Sequence, residues 1–232
     1  GLKSARELKA LHPSWLKIAS PELNHFPLIR EMASYGIPLI LSSGVSLLAD
    51  IEKALEASKA APDRILLHCV TSYPAPEEEY NLNVLESLSR LFGVKVGVSD
   101  HSLDPILVPV LSTACGACMI EKHITLSRAG DGLDDPVALT PELFAKMTEA
   151  VRRAEVKEKG EVVSELVKIH GNDRIMKILG TGKKELAPAE KANYTRTNRS
   201  LHYMKNLHKG DVIGIDDIAI LRTEKVLSPG LS

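Results

Sequence analysis

The sequence predicts an α/β fold of the (β/α)8 TIM-barrel type, with about five of the eight βα units present. Five short apolar segments recur at intervals of about 25 to 30 residues, the length of one βα unit. They are apolar throughout rather than alternating, which is typical of parallel strands buried on both faces. A helical pattern follows each segment, so strand and helix alternate along the chain.

The predicted strands are these five segments, at residues 14–20, 37–44, 64–74, 94–101 and 117–123. The stretches between them carry apolar residues at helical spacing. After the first strand, Asn24 is the expected N-cap of a helix and Gly36 its expected C-cap. Gly93 should end the helix before the fourth strand. After the fifth strand, Thr140 is the expected N-cap of a helix, with Pro141 at its first position.

The composition changes after about residue 155, where charged residues and glycines interrupt the strand pattern. We interpret residues 156–197 as a partly helical linker, in which KEKGE and GTGKKE are solvated. The final part, 198–232, has short β-like runs and turn residues, and predicts the beginning of a small β-rich module. The expected domains are therefore a partial barrel over 1–155, the linker, and a partial module.

The overall composition excludes several classes of protein. A net charge of −1 provides no field that attracts nucleic acid or an anionic membrane, and the apolar runs are too short to span a bilayer. Three cysteines, an odd number without framework spacing, indicate a reducing cytoplasm. The CGAC stretch at 115–118 resembles a redox or zinc motif. Because no second cysteine pair exists, we interpret it as close packing of small residues.

Polar residues occur at the C-terminal end of every predicted strand. They are Lys17 and Ser20, Ser42 and Ser43, Thr71 and Tyr73, Ser99 and His101, and Glu121, Lys122 and His123. In a barrel these ends face one rim, where active sites are built. A single histidine at a strand end is usually structural, but five such ends together favour a pocket. Two neighbouring histidines are suited to one metal ion, and hydroxyls with a lysine are suited to a phosphate or carboxylate.

The motifs KIAS, ILSSG, LLHCVTSYPAP, VGVSDHS and IEKHITL, in that order, resemble the sialic acid synthase family. The stretch RSLHYMKNLHKGDVIGIDDIAILR resembles the start of that family's antifreeze-like SAF domain, a β-clip fold. The resemblance implies condensation of phosphoenolpyruvate with an N-acetylated hexosamine, such as N-acetylmannosamine. The products are a nine-carbon 2-keto sugar acid for surface polysaccharide, and phosphate. It also implies a homodimer in which the SAF domain of one subunit covers the barrel of the other.

The resemblance further implies roles for individual residues. His101 and His123 are the implied ligands of a divalent metal, manganese in the first place, with magnesium or cobalt as alternatives. Lys17 is implied to act in catalysis with them. The implied substrate contacts are Ser20, Ser42, Thr71, Tyr73, Ser99, Asp134 and Arg222. Thr71 replaces the family's asparagine, and Asp135 replaces a histidine. These two changes leave the identity of the acceptor sugar undetermined.

The chain begins at Gly1 rather than at methionine, and five βα units cannot close an eight-stranded barrel. We therefore expect a fragment that lacks the first barrel strands, and we expect the isolated chain to be inactive. Two alternatives stay open. One is a related enzyme that makes a different 2-keto sugar acid. The other is a non-catalytic, truncated binding module.

Overall fold

The computed structural model describes residues 1–222. Within that range no helix is both long enough and apolar enough to cross a membrane. The last part of the predicted 198–232 module lies outside the described residues. An N-terminal helix, α1 (Leu2–Ala10), precedes the first strand and packs through Ala5 and the Arg6–Glu31 ion pair, with 3.0 Å between Nε and Oε1.

A five-stranded parallel sheet carries the fold, with its strands in consecutive order. The strands are β1 (Leu16–Ile18), β2 (Leu39–Ser42), β3 (Arg64–Cys69), β4 (Lys95–Asp100) and β5 (Ile120–Lys122). Each lies inside a predicted segment, so the number, order and direction of the strands are confirmed. Consecutive parallel strands that curl into a half-barrel are the arrangement expected of part of a TIM barrel.

Helices follow the strands and cover the outer face of the sheet. They are α2 (Phe26–Ala33), α3 (Leu48–Ala57), α4 (Val84–Phe92), α5 (Leu107–Ala114) and α6 (Pro141–Ala154). Gly93 ends α4 in the left-handed conformation at φ +62°, as predicted. Thr140 occupies the N-cap position of α6, ahead of Pro141, also as predicted.

The predicted ends of α2 are wrong. Its N-cap is His25 and its C-cap is Ser34, while Gly36 lies two residues further on in a left-handed turn at φ +72°. The Asn24 side chain has distant partners instead, because its Nδ2 donates to the Arg199 carbonyl at 2.7 Å and its Oδ1 accepts from the Arg199 N–H at 3.0 Å. The Asn24 side chain is therefore engaged in a tertiary contact and does not cap the helix.

Two further helices occupy part of the expected linker, α7 (Lys159–His170) and α8 (Asn172–Leu179). Their apolar side chains, including Val162 and Ile175, belong to the same hydrophobic core as the barrel helices. Lys184, in the stretch expected to be solvated, is 8% exposed. The helical content is as predicted, but much of this segment is packed and not solvated. The division into domains at residues 155 and 197 stays a prediction.

The chain then forms a two-stranded antiparallel hairpin, β6 (Arg199–Tyr203) and β7 (Ile218–Arg222). Arg199 anchors it to the barrel, because its guanidinium donates to both carboxylate oxygens of Glu22 at 2.6 to 3.0 Å. Glu22 follows β1 and also lies 3.1 Å from His25 Nδ1. The hairpin is thereby held next to the C-terminal end of β1.

Acid should weaken this anchor. Burial alone would raise the pKa of Glu22, but hydrogen bonds from His25 and Arg199 outweigh it and lower that pKa to about 2. The folded pKa is below the ordinary value of 4.5, so the stabilisation is complete above about pH 4.5 and is lost as the pH falls towards 2. The full contribution is about 3 kcal/mol.

Glu22→Gln should therefore lower the free energy of unfolding at pH 7 and flatten its dependence on pH below 4.5, measured by urea denaturation at several pH values. Glu149→Gln, which removes an exposed partner of Arg153 on α6, is the matched control and should change little. Equal pH profiles for the wild type and Glu22→Gln would contradict the assignment.

Candidate active site

A cavity of about 590 Å³ lies at the C-terminal ends of the strands. Every predicted site residue lines it except Asp134. The lining residues from the prediction are Lys17, Ser20, Ser42, Thr71, Tyr73, Ser99, His101, His123 and Arg222. Asp134 is adjacent, with its Oδ2 3.5 Å from Nδ1 of His123. The parallel strands thus bring together side chains from all five strand ends, as expected for this edge of a barrel.

A larger cleft of about 900 Å³ lies elsewhere, on the outside of the barrel between α2, α3 and α4. Its charged residues include Arg30 on α2, Glu52 on α3 and Lys59 in the turn after α3. We place the functional site in the smaller cavity because histidines, hydroxyls and a lysine converge there. Size alone does not identify a site without such groups.

The two histidines are neighbours, with ring centroids 5.4 Å apart. His101 is 4% exposed and its Nδ1 lies 2.9 Å from the Val70 carbonyl, so Nδ1 carries the proton and Nε2 keeps its lone pair. Tyr73 stacks on the His101 ring at 4.2 Å. Burial lowers the pKa of both histidines, and for His123 the proximity of His101 adds to this. Both rings are therefore neutral at neutral pH, the state in which imidazole binds metal.

This donor set fits a divalent metal of the manganese type. The His101 tautomer is held by a backbone carbonyl, which is the usual second contact of a metal-bound histidine. Among residues 1–222 no group of three or more histidine, cysteine, aspartate or glutamate side chains is arranged to hold a metal ion. The two imidazoles would therefore leave positions for water or substrate oxygens, which manganese accepts.

A cation and a carboxylate also line the cavity. Lys17 Nζ is 3.2 Å from Glu121 Oε1, and the same oxygen accepts a hydrogen bond from Ser99 Oγ at 2.8 Å. Glu121 was noted at a strand end but was given no role in the sequence analysis. In the parallel register of β4 and β5, Glu121 is the partner of Ser99. Its place at the end of a strand, next to a predicted site residue on the neighbouring strand, is the signal that was missed.

Further lining residues were missed, among them Cys69, Asn193 and Thr197. Cys69 is buried, and burial raises the pKa of its thiol to about 11. The thiol is therefore protonated at neutral pH, and Cys69 lines the cavity as an uncharged residue and not as a nucleophile. Its place at the end of β3 was a signal that could have been used. Asn193 and Thr197 also line the cavity, but they come from the expected linker, whose composition offered no such signal.

Arg222, at the end of β7, lines the cavity of its own chain. The resemblance instead implies that this arginine enters the site of a second subunit. The hairpin anchor at Glu22 explains the position in this structure, since it fixes β6 and β7 beside the rim. Tyr73, on the same rim, has a pKa raised to about 12 by burial, so its phenol stays a hydrogen-bond donor.

Gly44→Ala should disrupt the cavity. A Cβ at position 44 would lie 1.9 Å from Thr71 Oγ1 and 2.9 Å from Ser20 Oγ, so both hydroxyls would have to move. Affinity for the phosphoenolpyruvate that the sequence resemblance implies should fall by about tenfold or more, because both hydroxyls belong to the implied binding set. Calorimetry with phosphoenolpyruvate measures this. Gly1→Ala, where nothing lies within 4 Å, is the control. Unchanged affinity in Gly44→Ala would contradict the arrangement.

Comparison with known proteins agrees with the family resemblance of the sequence motifs. The NeuB family model matches residues 1–163. A pseudaminic acid synthase of Campylobacter jejuni is 34% identical over 225 residues, which is 96% of this chain and 59% of that protein. An N,N'-diacetyllegionaminic acid synthase of Legionella pneumophila is 31% identical over 220 residues, 92% of this chain and 56% of that protein.

The crystal structure of the spore coat polysaccharide biosynthesis protein SpsE of Bacillus subtilis superposes with a TM-score of 0.85 at 31% sequence identity. It covers 98% of this chain, and the chain covers 62% of it. The chain thus spans less than two thirds of these relatives. Because the family model matches more than half of the residues, and the site motifs fall within the matched range, the chain belongs to the NeuB family.

Proposed function

We propose that this chain carries the phosphoenolpyruvate and metal sites of a sialic acid synthase-type enzyme. The observation that supports this most is the convergence of Lys17, three serine hydroxyls and two neutral histidines in one cavity. Two relatives that are 31% and 34% identical to this chain are a legionaminic acid synthase and a pseudaminic acid synthase. The proposed reaction condenses phosphoenolpyruvate with an N-acetylated hexosamine, for which N-acetylmannosamine is the first candidate.

In the proposed reaction the enol carbon of phosphoenolpyruvate attacks the aldehyde carbon of the open sugar and forms the new C–C bond. Water adds to the former enol C2, and the C–O bond to phosphate breaks to leave the 2-keto acid. Lys17 and the hydroxyls of Ser20, Ser42 and Ser99 would bind and orient the anionic substrate. A divalent metal bound by His101 and His123 would supply polarisation of the aldehyde carbonyl.

The other cavity residues keep these groups in place. The Val70 carbonyl holds the His101 tautomer, and the Tyr73 ring stacks against it. Glu121 holds both Lys17 and Ser99, so the cation and the hydroxyl stay on one wall. Asp134 lies beside His123, on the side where the acceptor sugar would enter, and Arg222 lines the rim. A homodimer, an SAF module that begins with the β6–β7 hairpin, and a cytoplasmic location are parts of the same proposal.

The test is a calorimetric titration with Mn²⁺ of the wild type, of His101→Ala and of His208→Ala. His208 is an exposed histidine outside the cavity, so it serves as the control. Micromolar binding that is lost only in His101→Ala is expected. Equal binding by all three proteins would overturn the metal site.

Activity is tested with a version extended at its front by the matching segment of a relative, using phosphoenolpyruvate and N-acetylmannosamine. Release of phosphate that requires both substrates is expected. We expect no turnover by the 232-residue chain alone, because the five parallel strands found within residues 1–222 leave the barrel open. Metal binding without turnover in the extended version would favour a non-catalytic binding module.

A further inference from the structure

Residues 184–198, which we name the rim segment, cross the strand ends beside the cavity. The segment lies beyond residues 1–163 that match the family model. At its start, Lys184 Nζ approaches the Ser43 carbonyl at 3.3 Å, and at its end Asn198 Nδ2 donates to the Val45 carbonyl at 3.3 Å. Asn193 and Thr197, between these points, line the cavity itself. The rim segment therefore contacts the loop after β2 at several points.

Glu190 is the central contact of the rim segment. It is 1% exposed, and its Oε1 accepts hydrogen bonds from the backbone N–H of Val45 at 2.7 Å and of Thr71 at 2.8 Å. Its Oε2 accepts from the Ala187 N–H at 3.2 Å. One carboxylate oxygen thus joins the loops that follow β2 and β3. The loop after β3 contributes Thr71 and Tyr73 to the cavity, and the loop after β2 directly follows Ser42, which also lines it. A charged acceptor makes these bonds stronger than neutral ones.

The closeness of those two loops determines where the cavity hydroxyls lie. Gly44, next to Val45, donates its N–H to Ser20 Oγ at 3.0 Å, and its backbone leaves no room for a side chain against Thr71. The arrangement of Ser20, Gly44 and Thr71 therefore depends on Val45 and Thr71 being drawn to the same oxygen. Glu190 does not line the cavity, so it can affect these hydroxyls only through the backbone that it binds.

The burial of this carboxylate is compensated electrostatically within the same segment. Lys184, also buried, is its charged neighbour, and burial lowers the pKa of that lysine while Glu190 acts against the change. A buried carboxylate with three backbone donors and a nearby cation is costly to leave unpaired and well suited to fix a unique geometry.

We propose that Glu190 is a positioning residue of the phosphoenolpyruvate subsite, acting through the backbone of Val45 and Thr71. This inference rests on the proposed function for its ligand. Glu190 touches no substrate. It sets the distance between the loop after β2, whose Gly44 N–H binds Ser20 Oγ, and the loop after β3, which carries Thr71.

The test measures two ligands in parallel on the 232-residue chain, phosphoenolpyruvate and Mn²⁺, by calorimetry. Glu190→Ala should weaken phosphoenolpyruvate binding about tenfold or more and leave Mn²⁺ binding by the two histidines unchanged. Glu190→Gln should lose less, because the amide oxygen can still accept from Val45 and Thr71. This conservative variant also serves if Glu190→Ala fails to fold.

Glu79→Ala is the matched control. Glu79 lies in the connection from β3 to α4, and its Oε2 accepts from the Ala189 N–H at 2.9 Å. This variant therefore loosens the rim segment one residue away but leaves the hydrogen bonds from Val45 and Thr71 to Glu190 in place. It should bind phosphoenolpyruvate as the wild type does. An equal loss in Glu79→Ala and Glu190→Ala, or wild-type affinity in Glu190→Ala, would overturn the inference.

A second readout does not require the substrate. The amide proton resonances of Val45 and Thr71 should move upfield in Glu190→Ala, because their N–H groups lose a charged acceptor, and should stay in place in Glu79→Ala. If the wild type binds no phosphoenolpyruvate, the proposed function fails. These resonances, together with those of Gly44, then decide the positioning role on their own, and unmoved resonances would overturn it.

Discussion

Replacing Lys122 by methionine is expected to lower the free energy of unfolding by about 3–5 kcal/mol, the usual cost of removing one partner of a buried ion pair. The side chains of Lys122 and Asp100 are both 0% exposed, and Nζ lies 2.7 Å from Oδ2. Nζ also donates to the Ser102 carbonyl at 2.5 Å, and Asp100 Oδ1 accepts from the Ser102 N–H at 2.8 Å. Without the cation, a buried carboxylate loses its compensating charge.

The same substitution should weaken metal binding. Asp100 and Lys122 are directly paired as the last residues of β4 and β5, and a histidine follows each of them in the chain. The ion pair therefore sets the separation of His101 and His123. The His101 N–H is held in addition by the Tyr80 hydroxyl at 2.7 Å, so the contacts of residue 100 are not its only support. Mn²⁺ affinity should fall by about tenfold or more.

Urea denaturation and Mn²⁺ calorimetry measure both effects. The matched control is Lys95→Met on β4, where Nζ pairs with the more exposed Asp63 at 2.8 Å and the expected loss is at most about 1 kcal/mol. The double variant Asp100→Asn with Lys122→Met should recover much of the stability, because it buries no unpaired charge. Equal stability of Lys122→Met and Lys95→Met would contradict the buried pair.

Gly97→Ala should be the second severe change. A Cβ at this position of β4 would lie 2.4 Å from the Met119 carbonyl oxygen and 2.7 Å from Leu67 Cδ2. The nearest atom belongs to the backbone, and that carbonyl also accepts the Val98 N–H at 2.9 Å. A side-chain rotation does not relieve the contact with the Met119 carbonyl, so β5 must move away from β4. Overpacking of this kind costs about 1–3 kcal/mol, and more where backbone must shift.

Because β5 leads into His123, we expect Gly97→Ala to weaken Mn²⁺ binding together with stability. Thermal denaturation and calorimetry measure the two losses. Gly160→Ala in α7 is the control, since nothing lies within 4 Å of its added Cβ and alanine favours helix by about 0.5–1 kcal/mol. If Gly97→Ala were as stable as the wild type, β4 and β5 would have to lie further apart than described.

The sheet and the composition of the candidate site could be predicted because their signals are local. Each strand is a short apolar run, and its polar end follows within two or three residues, as in β1 with Lys17 and Ser20. Parallel strands in consecutive order then place all these ends on one rim. One rule of topology therefore converts five separate sequence patterns into a single cavity.

The support of that cavity depends on contacts that no local pattern contains. Asn24 has the residue type of an N-cap, yet it binds Arg199, 175 positions away. Glu190 reaches Thr71 across 119 positions, from a segment whose charge and glycine content suggested a partly helical linker. A buried charge is tolerated only where distant donors compensate it, and those donors come together only in the folded chain. The sequence by itself therefore determined the strands and the groups at their ends, whereas the tertiary structure alone decided which residues hold those groups in place.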